Sequence, residues 1–286
     1  MSDLAHVDIG VAEARSKSGP GLLIGSCLVV LSGVVFLAIF GGWIAPDAHL
    51  QDLGTGTTGP SSTHWLGTDD LGRDIFSRVI VGARTAVVGP TLITVGAALI
   101  GSLLGLLAGY VGGFTDSVIL RWADLMFALP GHLVAIVVVG VLGGGYYLAI
   151  AVLIVLSSPY DTRLIRAATL EQRPRPYIEA ARVLGLPGRR IALLHVLPNV
   201  FPIMIASVFL GFAYALLALA ALSFLGLGVG PGTPDWGRML AESRRLLFDN
   251  PAAALAPGAM LVLTAASTNL IGDWLAEALS DRGRAR

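Results

Sequence analysis

The chain predicts an all-α polytopic membrane protein with six transmembrane helices, and three observations carry that expectation. Hydrophobic residues fill 55% of its 286 positions and charged residues only 13%, against about 25% charged in a soluble domain. Apolar runs long enough to cross a bilayer, which takes about 20 residues, recur from one end to the other. The 36 glycines suit helices whose backbones approach closely in lipid. The formal net charge is zero, so no global field favours nucleic acid as a partner.

Residues 1–20 are polar and read as a disordered cytosolic tail. The run 21–45 is the first span. It is too long for a cleaved signal peptide, and no clean small-residue cleavage site follows it, so it is expected to be retained. Segment 46–84 is polar and turn-rich. Within it Thr68, Asp69 or Asp70 is expected to cap a helix that starts near Leu71 and carries Ile75, Val79 and Ile80 on one side. Its acids invite a cation-site reading. The alternation of Asp69, Asp70 and Asp74 with Arg73 and Arg78 favours a solvated helix instead.

The second span is 85–110. A short turn at 111–124 holds Arg121 and Asp124, and the third span, 119–142, has Pro130 as a kink. Gly143, Gly144 and Gly145 make a tight connection to the fourth span, 146–164, which Ser157, Ser158 and Pro159 interrupt. Spans five and six are 201–225 and 253–275. A glycine- and proline-rich external loop, 226–252, separates them, and 276–286 is a basic cytosolic tail with Arg282, Arg284 and Arg286.

Between spans four and five, residues 176–198 look helical yet are too polar to lie wholly in lipid. Pro176 suits a first helical position, where a missing N–H costs nothing. Tyr177, Ile178, Ala181, Val183 and Leu184 supply an apolar side, with Glu179 and Arg182 spaced as an i,i+3 pair. Gly185 and Leu186-Pro187-Gly188 stop the helix, and Gly185 is expected to take a positive φ. A second helical run from Arg189 ends near Pro198.

This stretch resembles the EAA loop of ABC-importer permeases, in Glu179, Ala180, Ala181, Arg182, Gly185, Leu197 and Pro198. It departs at His195, where the general pattern has Ile. Four further segments are similar to the dipeptide/oligopeptide/nickel branch of that family. They are H-W-L-G-T-D-D-L-G-R-D from His64, which includes Gly67, Thr68, Asp69, Asp70, Gly72, Arg73 and Asp74; G-Y-V-G-G-F-T-D at 109–116; L-S-F-L-G-L-G-V at 222–229; and T-P-D-W-G-R-M-L at 233–240. N-L-I-G-D-W-L at 269–275 completes the set. The chain looks like the C-type permease subunit of that group. The resemblance implies half of a peptide translocation pathway working by alternating access. It also implies a heterodimer with a homologous permease, cytosolic ATP-binding subunits that carry ATP and Mg, and an extracytoplasmic substrate-binding protein. The 165–200 segment is then the cytosolic coupling loop, in a bacterial or archaeal cell membrane.

Charge placement supports that orientation. With the N-terminus cytosolic, the inner side holds 13 lysines and arginines and the outer side 6: Arg73, Arg78, Arg84, Arg238, Arg244 and Arg245. The positive-inside rule then puts both termini in the cytosol. Energy has to come from elsewhere, because the chain is not expected to be an enzyme. Its one lysine, Lys17, follows Ser16 and not the glycine of a phosphate-binding loop. Lone Cys27 permits no intrachain disulfide, and the five histidines include no i,i+4 pair, so no metal site is expected.

Intramembrane polar groups mark pathways. Asp124, Asp161, Arg163 and Asp273 fall near the expected cytosolic ends, where water and head groups solvate them, and a structural role is favoured. Asn269 lies deeper and faces either a cavity or a neighbouring helix. Ser157 and Ser158 are pore-lining candidates, although serines beside a proline commonly satisfy freed backbone groups. The rival function is an ion-coupled secondary transporter working through Asp124 or Asp273. Such proteins usually show internal repeats and broken helices with midplane acids, which the sequence lacks.

Overall fold

The computed structural model describes residues 21–284, with side chains to 278. The expected tail at 1–20 and the last two residues lie outside the described residues. Helix α1 (Leu22–Ile44) is followed by a 3₁₀ turn (Pro46–His49) and an irregular segment, 50–74. Helices α2 (Ile75–Val111), α3 (Gly113–Ala128), α4 (Gly131–Val141) and α5 (Tyr146–Gln172) follow. Next come α6 (Pro176–Val183), α7 (Gly188–Ile191), a π turn (Ala192–Val196) and α8 (Leu197–Phe224). Short α9 (Trp236–Glu242) with its 3₁₀ extension (Ser243–Arg245) precedes α10 (Ala252–Arg284). Among the described residues five helices are long and apolar enough to cross a membrane, and α3 and α4 pass the same test only as a pair, bent by 85°.

α2 is the spine. At 37 residues it is about 55 Å long, well beyond a hydrocarbon core of about 30 Å. It passes through three apolar clusters in succession. The outer one gathers Ile75, Val79, Trp236 and Leu261. The middle one gathers Ile93, Val139, Leu153 and Leu219. The inner one gathers Leu106, Ile165, Ile178, Ile191 and Val196. Its main partner is α5, and small residues set that approach. A Cβ on Gly101 would fall 2.3 Å from Asp161 Cβ, and one on Gly105 2.6 Å from Thr162 O. α1 fully buries only Cys27, Val34 and Gly41, packs Val30, Leu37 and Ala38 partly against the cluster of Ile75 and Trp236, and leaves most of its remaining apolar surface exposed.

Five features differ from the sequence expectation, each for a local reason. The helix after the external segment starts at Ile75, not near Leu71, because Asp74 is its cap and accepts from Ser77 N at 2.8 Å. Residues 113–124 are the start of α3 and not a turn, since Gly112 and Gly113, both at positive φ, suffice to turn the chain between α2 and α3. Pro130 breaks the third span by 85°, more than a kink, because it follows an extended Leu129 and caps α4.

α5, by contrast, runs without interruption to Gln172. The carbonyl that Pro159 frees belongs to Val155, and the Ser158 hydroxyl takes it up at 2.8 Å. The second helical run of the 176–198 stretch likewise continues past Pro198 as far as Phe224. A π turn lies immediately before that proline, and the wider turn accommodates its ring. Asn199 Nδ2 donates to His195 O at 2.7 Å, satisfying a carbonyl at the irregularity.

Candidate functional site

Three regions of the fold collect the chemistry, and the first is the elbow formed by α6 and α7. Leu186 N donates to Ala181 O at 3.2 Å and Gly185 N to Arg182 O at 2.9 Å. This is a Schellman stop, with Gly185 at φ +72°. One face of α6 is anchored, with Ile178 and Ala181 buried among Leu106, Ile165 and Val196. The opposite face is bare. Glu179, Ala180 and Arg182 are exposed, and Val183 and Leu184 are 88% and 79% exposed. Glu179 and Arg182 form no ion pair among the described residues, so the expected i,i+3 pairing is corrected and both remain free to bind. Leu197 packs partly into the inner cluster, and Pro198 is exposed.

The second region joins the irregular segment before α2 to α9. Asp69 Oδ1 accepts from Leu71 N and Arg73 N, both at 3.0 Å. Its Oδ2 accepts from Arg73 Nε at 2.7 Å and from Arg78 Nη1. Glu242 Oε2 then receives Arg73 Nη2 at 3.0 Å and Arg78 Nη2 at 2.8 Å, and its Oε1 receives Arg238 Nε at 2.9 Å. Burial alone would raise the Glu242 carboxyl, yet Arg78, Arg73 and Arg238 hold it below its ordinary value. Asp235 caps α9 through Arg238 N at 3.0 Å, and burial pushes its carboxyl upward.

The solvated-helix reading of this region is therefore corrected. Asp69, Arg73 and Arg78 are 4%, 2% and 1% exposed. Asp69 and Arg73 sit on a turn that Gly72 closes at φ +69°, before the helix begins, and so do not share its outer face. Thr68 ties the turn to Thr58 and Gly56, Gly67 turns the chain at φ +76°, and Asp74 also meets His64 Nδ1 at 3.1 Å. Asp70 alone of the acids faces solvent. The cation beside Asp69 is guanidinium.

The third region is a membrane-level cavity of about 420 Å³ between α2, the α3–α4 break, α5 and α8. Phe127, His132, Ser157, Tyr160, Asp161 and Tyr214 line it, with the His132 and Tyr214 rings edge to face at 5.3 Å. Asp161 is 7% exposed, which corrects its reading as a solvated helix-end acid. Among the described residues it has no ion-pair partner. Asp124, in contrast, pairs with Arg163 at an exposed site, and Arg163 also stacks on Phe127. Asp273 is exposed.

Comparison with known proteins decides the family. The family described as binding-protein-dependent transport system inner membrane component matches residues 101–284. A glutathione transport system permease protein, GsiD, of Escherichia coli is 43% identical over 252 residues, covering 87% of this chain and 83% of its own. The chain belongs to that transport family. A dipeptide transport system permease protein, DppC, of Alkalihalophilus pseudofirmus is 37% identical over 89% of this chain and 84% of its own. An inward-facing structure of the MetNI methionine ABC transporter shares the fold at a TM-score of 0.51 and 20% identity. It covers 66% of this chain and 92% of that one.

As a transport-system membrane component, the chain divides its expected site residues unevenly. Glu179, Ala180, Arg182 and Gly185 come together on the exposed elbow, while Ala181 is part of its anchor. Of the pathway candidates, Ser157 lines the cavity. Ser158 does not, being buried against the backbone. Asn269 does not either, as it is exposed on α10 away from the cavity lining. Sequence reasoning missed the role of Glu242, two of whose three arginine partners lie more than 160 residues earlier. It also missed Tyr214 and Ser207, which look like ordinary members of an apolar helix.

Proposed function

We propose that this chain is one half of the translocation pathway of an ATP-driven importer for small peptides, working by alternating access. Its other half is a homologous permease, with which it forms a heterodimer. Cytosolic subunits that bind ATP and Mg dock on the elbow, and a peptide-loaded binding protein delivers cargo from outside. Both termini then face the cytosol of a bacterial or archaeal cell, and lipid covers the outer faces of α1 and the other spans. The single observation that carries this reading is the elbow, a short helix anchored by Ile178 and Ala181 that presents Glu179, Ala180, Val183 and Leu184 outward. An eight-residue helix is marginal by itself in water. Anchored on one face, it can transmit a displacement from a partner to the spans.

The names of the dipeptide and glutathione permeases support peptide cargo. Ion coupling through Asp124 or Asp273 finds no support, since the first is neutralised by Arg163 and the second is exposed. The test is co-purification with the neighbouring permease and ATPase subunits, followed by reconstitution with the binding protein. Dipeptide-loaded binding protein should stimulate ATP hydrolysis several-fold and drive uptake. Uptake that needs an ion gradient but no ATP would overturn the reading.

A further inference from the structure

A carboxylate buried in a membrane without a partner is costly, and such groups are retained where a cation comes to them. Asp161 is in this position. It is 7% exposed, and Gly101 gives its Cβ room against α2. The Ser207 hydroxyl is its one hydrogen-bonding neighbour, shared with Met204 O at 2.9 Å, and among the described residues no cationic side chain pairs with it. On the open side are the hydroxyl of Ser157, the rings of Tyr160 and Tyr214 with the His132 imidazole against the latter, and Phe127, over which Arg163 already stands.

From these groups we infer that the cavity is a transient site for the ammonium group of a peptide in transit, with Asp161 as its counter-ion; this inference rests on the peptide-importer reading above. A single carboxylate among aromatic faces suits an organic ammonium. Carboxylate pairing and cation–π attraction both act on such an ion, whereas a small hard cation demands several oxygen ligands. The cavity volume of about 420 Å³ lies within the range of small-molecule sites. Its apolar remainder accepts side chains of differing shape, as a pathway serving many peptides requires. One weak ionic contact holds the cargo without trapping it.

The experiment uses the complete importer in proteoliposomes with radiolabelled dialanine, reading uptake and ATP hydrolysis together. Asp161→Asn should raise the ATP consumed per dialanine imported about tenfold, the scale of one lost charge-assisted contact, and Asp161→Glu should restore most of the coupling. An unchanged ratio in Asp161→Asn overturns the inference while leaving the importer reading intact. A wild type that imports no dialanine overturns both. If Asp161→Asn fails to assemble with the partner permease, the decision passes to Ser157→Cys in a background lacking Cys27. Protection of that thiol from maleimide by dialanine during turnover supports the site, and equal labelling with and without dialanine overturns it.

Discussion

Arg78 on α2 and Glu242 on α9 meet at 2.8 Å although 164 residues separate them, and their contact fastens the external segment to the loop before α10. Arg78 is almost wholly buried and its other amino group is held by Asp69. Removing it leaves two carboxylates short of a counter-charge in a site with little water. Arg78→Ala should therefore cost about 3–5 kcal/mol and lower the thermal unfolding midpoint of the detergent-purified complex. Arg84→Ala, at an exposed position, should change it little.

The same pair makes stability depend on acid. The folded-state value of Glu242 is depressed below its ordinary 4.5 by the arginines that overcome its burial. Its contribution is thus fully present above pH 4.5 and is lost as pH falls through that value towards the lower folded one. Thermal midpoints measured from pH 7 down to pH 4 should fall towards the acid end. In Glu242→Gln the midpoint should start lower and show a shallower acid slope.

At the elbow, Gly185 adopts φ +72° with nothing near its missing side chain. Gly185→Val costs about 1–2 kcal/mol in backbone strain and disturbs the stop that aims α6. The protein should still insert, while ATP hydrolysis stimulated by loaded binding protein should fall several-fold. Glu179→Lys reverses an exposed charge without touching the anchor and should produce the same phenotype. Wild-type stimulation in both would reduce 176–198 to a connector.

Close packing of α2 on α5 gives a sharper structural test. A side chain at Gly101 collides with Asp161 Cβ at 2.3 Å and with backbone at 2.9 Å. Overfilling a packed contact costs about 1–3 kcal/mol, occasionally more. Gly101→Val should reduce the amount of assembled complex and its melting temperature. Gly25→Val, on a face of α1 with open space around it, should leave both unchanged.

Orientation can be read by labelling. With Cys27 replaced, Gly59→Cys should react with an impermeant maleimide in intact cells, and Leu184→Cys only after permeabilisation. The reverse pattern would place the elbow outside and sink the coupling role assigned to it.

How much of this was legible beforehand depended on whether the determining contacts are local. Helix stops at Gly185 and Gly112 follow from glycine chemistry within a few residues, and the break at Pro130 follows from ring sterics. The Asp69–Arg73–Arg78 alternation misled because charge spacing resembles a solvated helix until Glu242 arrives from α9 to bury it. Ser158 misled in the opposite direction. Its hydroxyl repairs the helix at Pro159, so a residue expected to open the wall keeps it closed, while its neighbour Ser157 faces the cavity. Asp161 was placed near a cytosolic helix end, but α5 extends to Gln172, two further turns, and that extension carries the acid inward.

The length of α2 has a mechanical consequence. One continuous strut holds Arg78 at its outer end and Leu106 and Tyr110, against the elbow, at its inner end. On the importer reading proposed above, a push on the elbow acts on one end of this strut, with the tight α2–α5 contact near Gly101 as its fulcrum. Because Arg78 on α2 and Arg73 just before it both bind Glu242 of α9, any such tilt carries the loop before α10 with it.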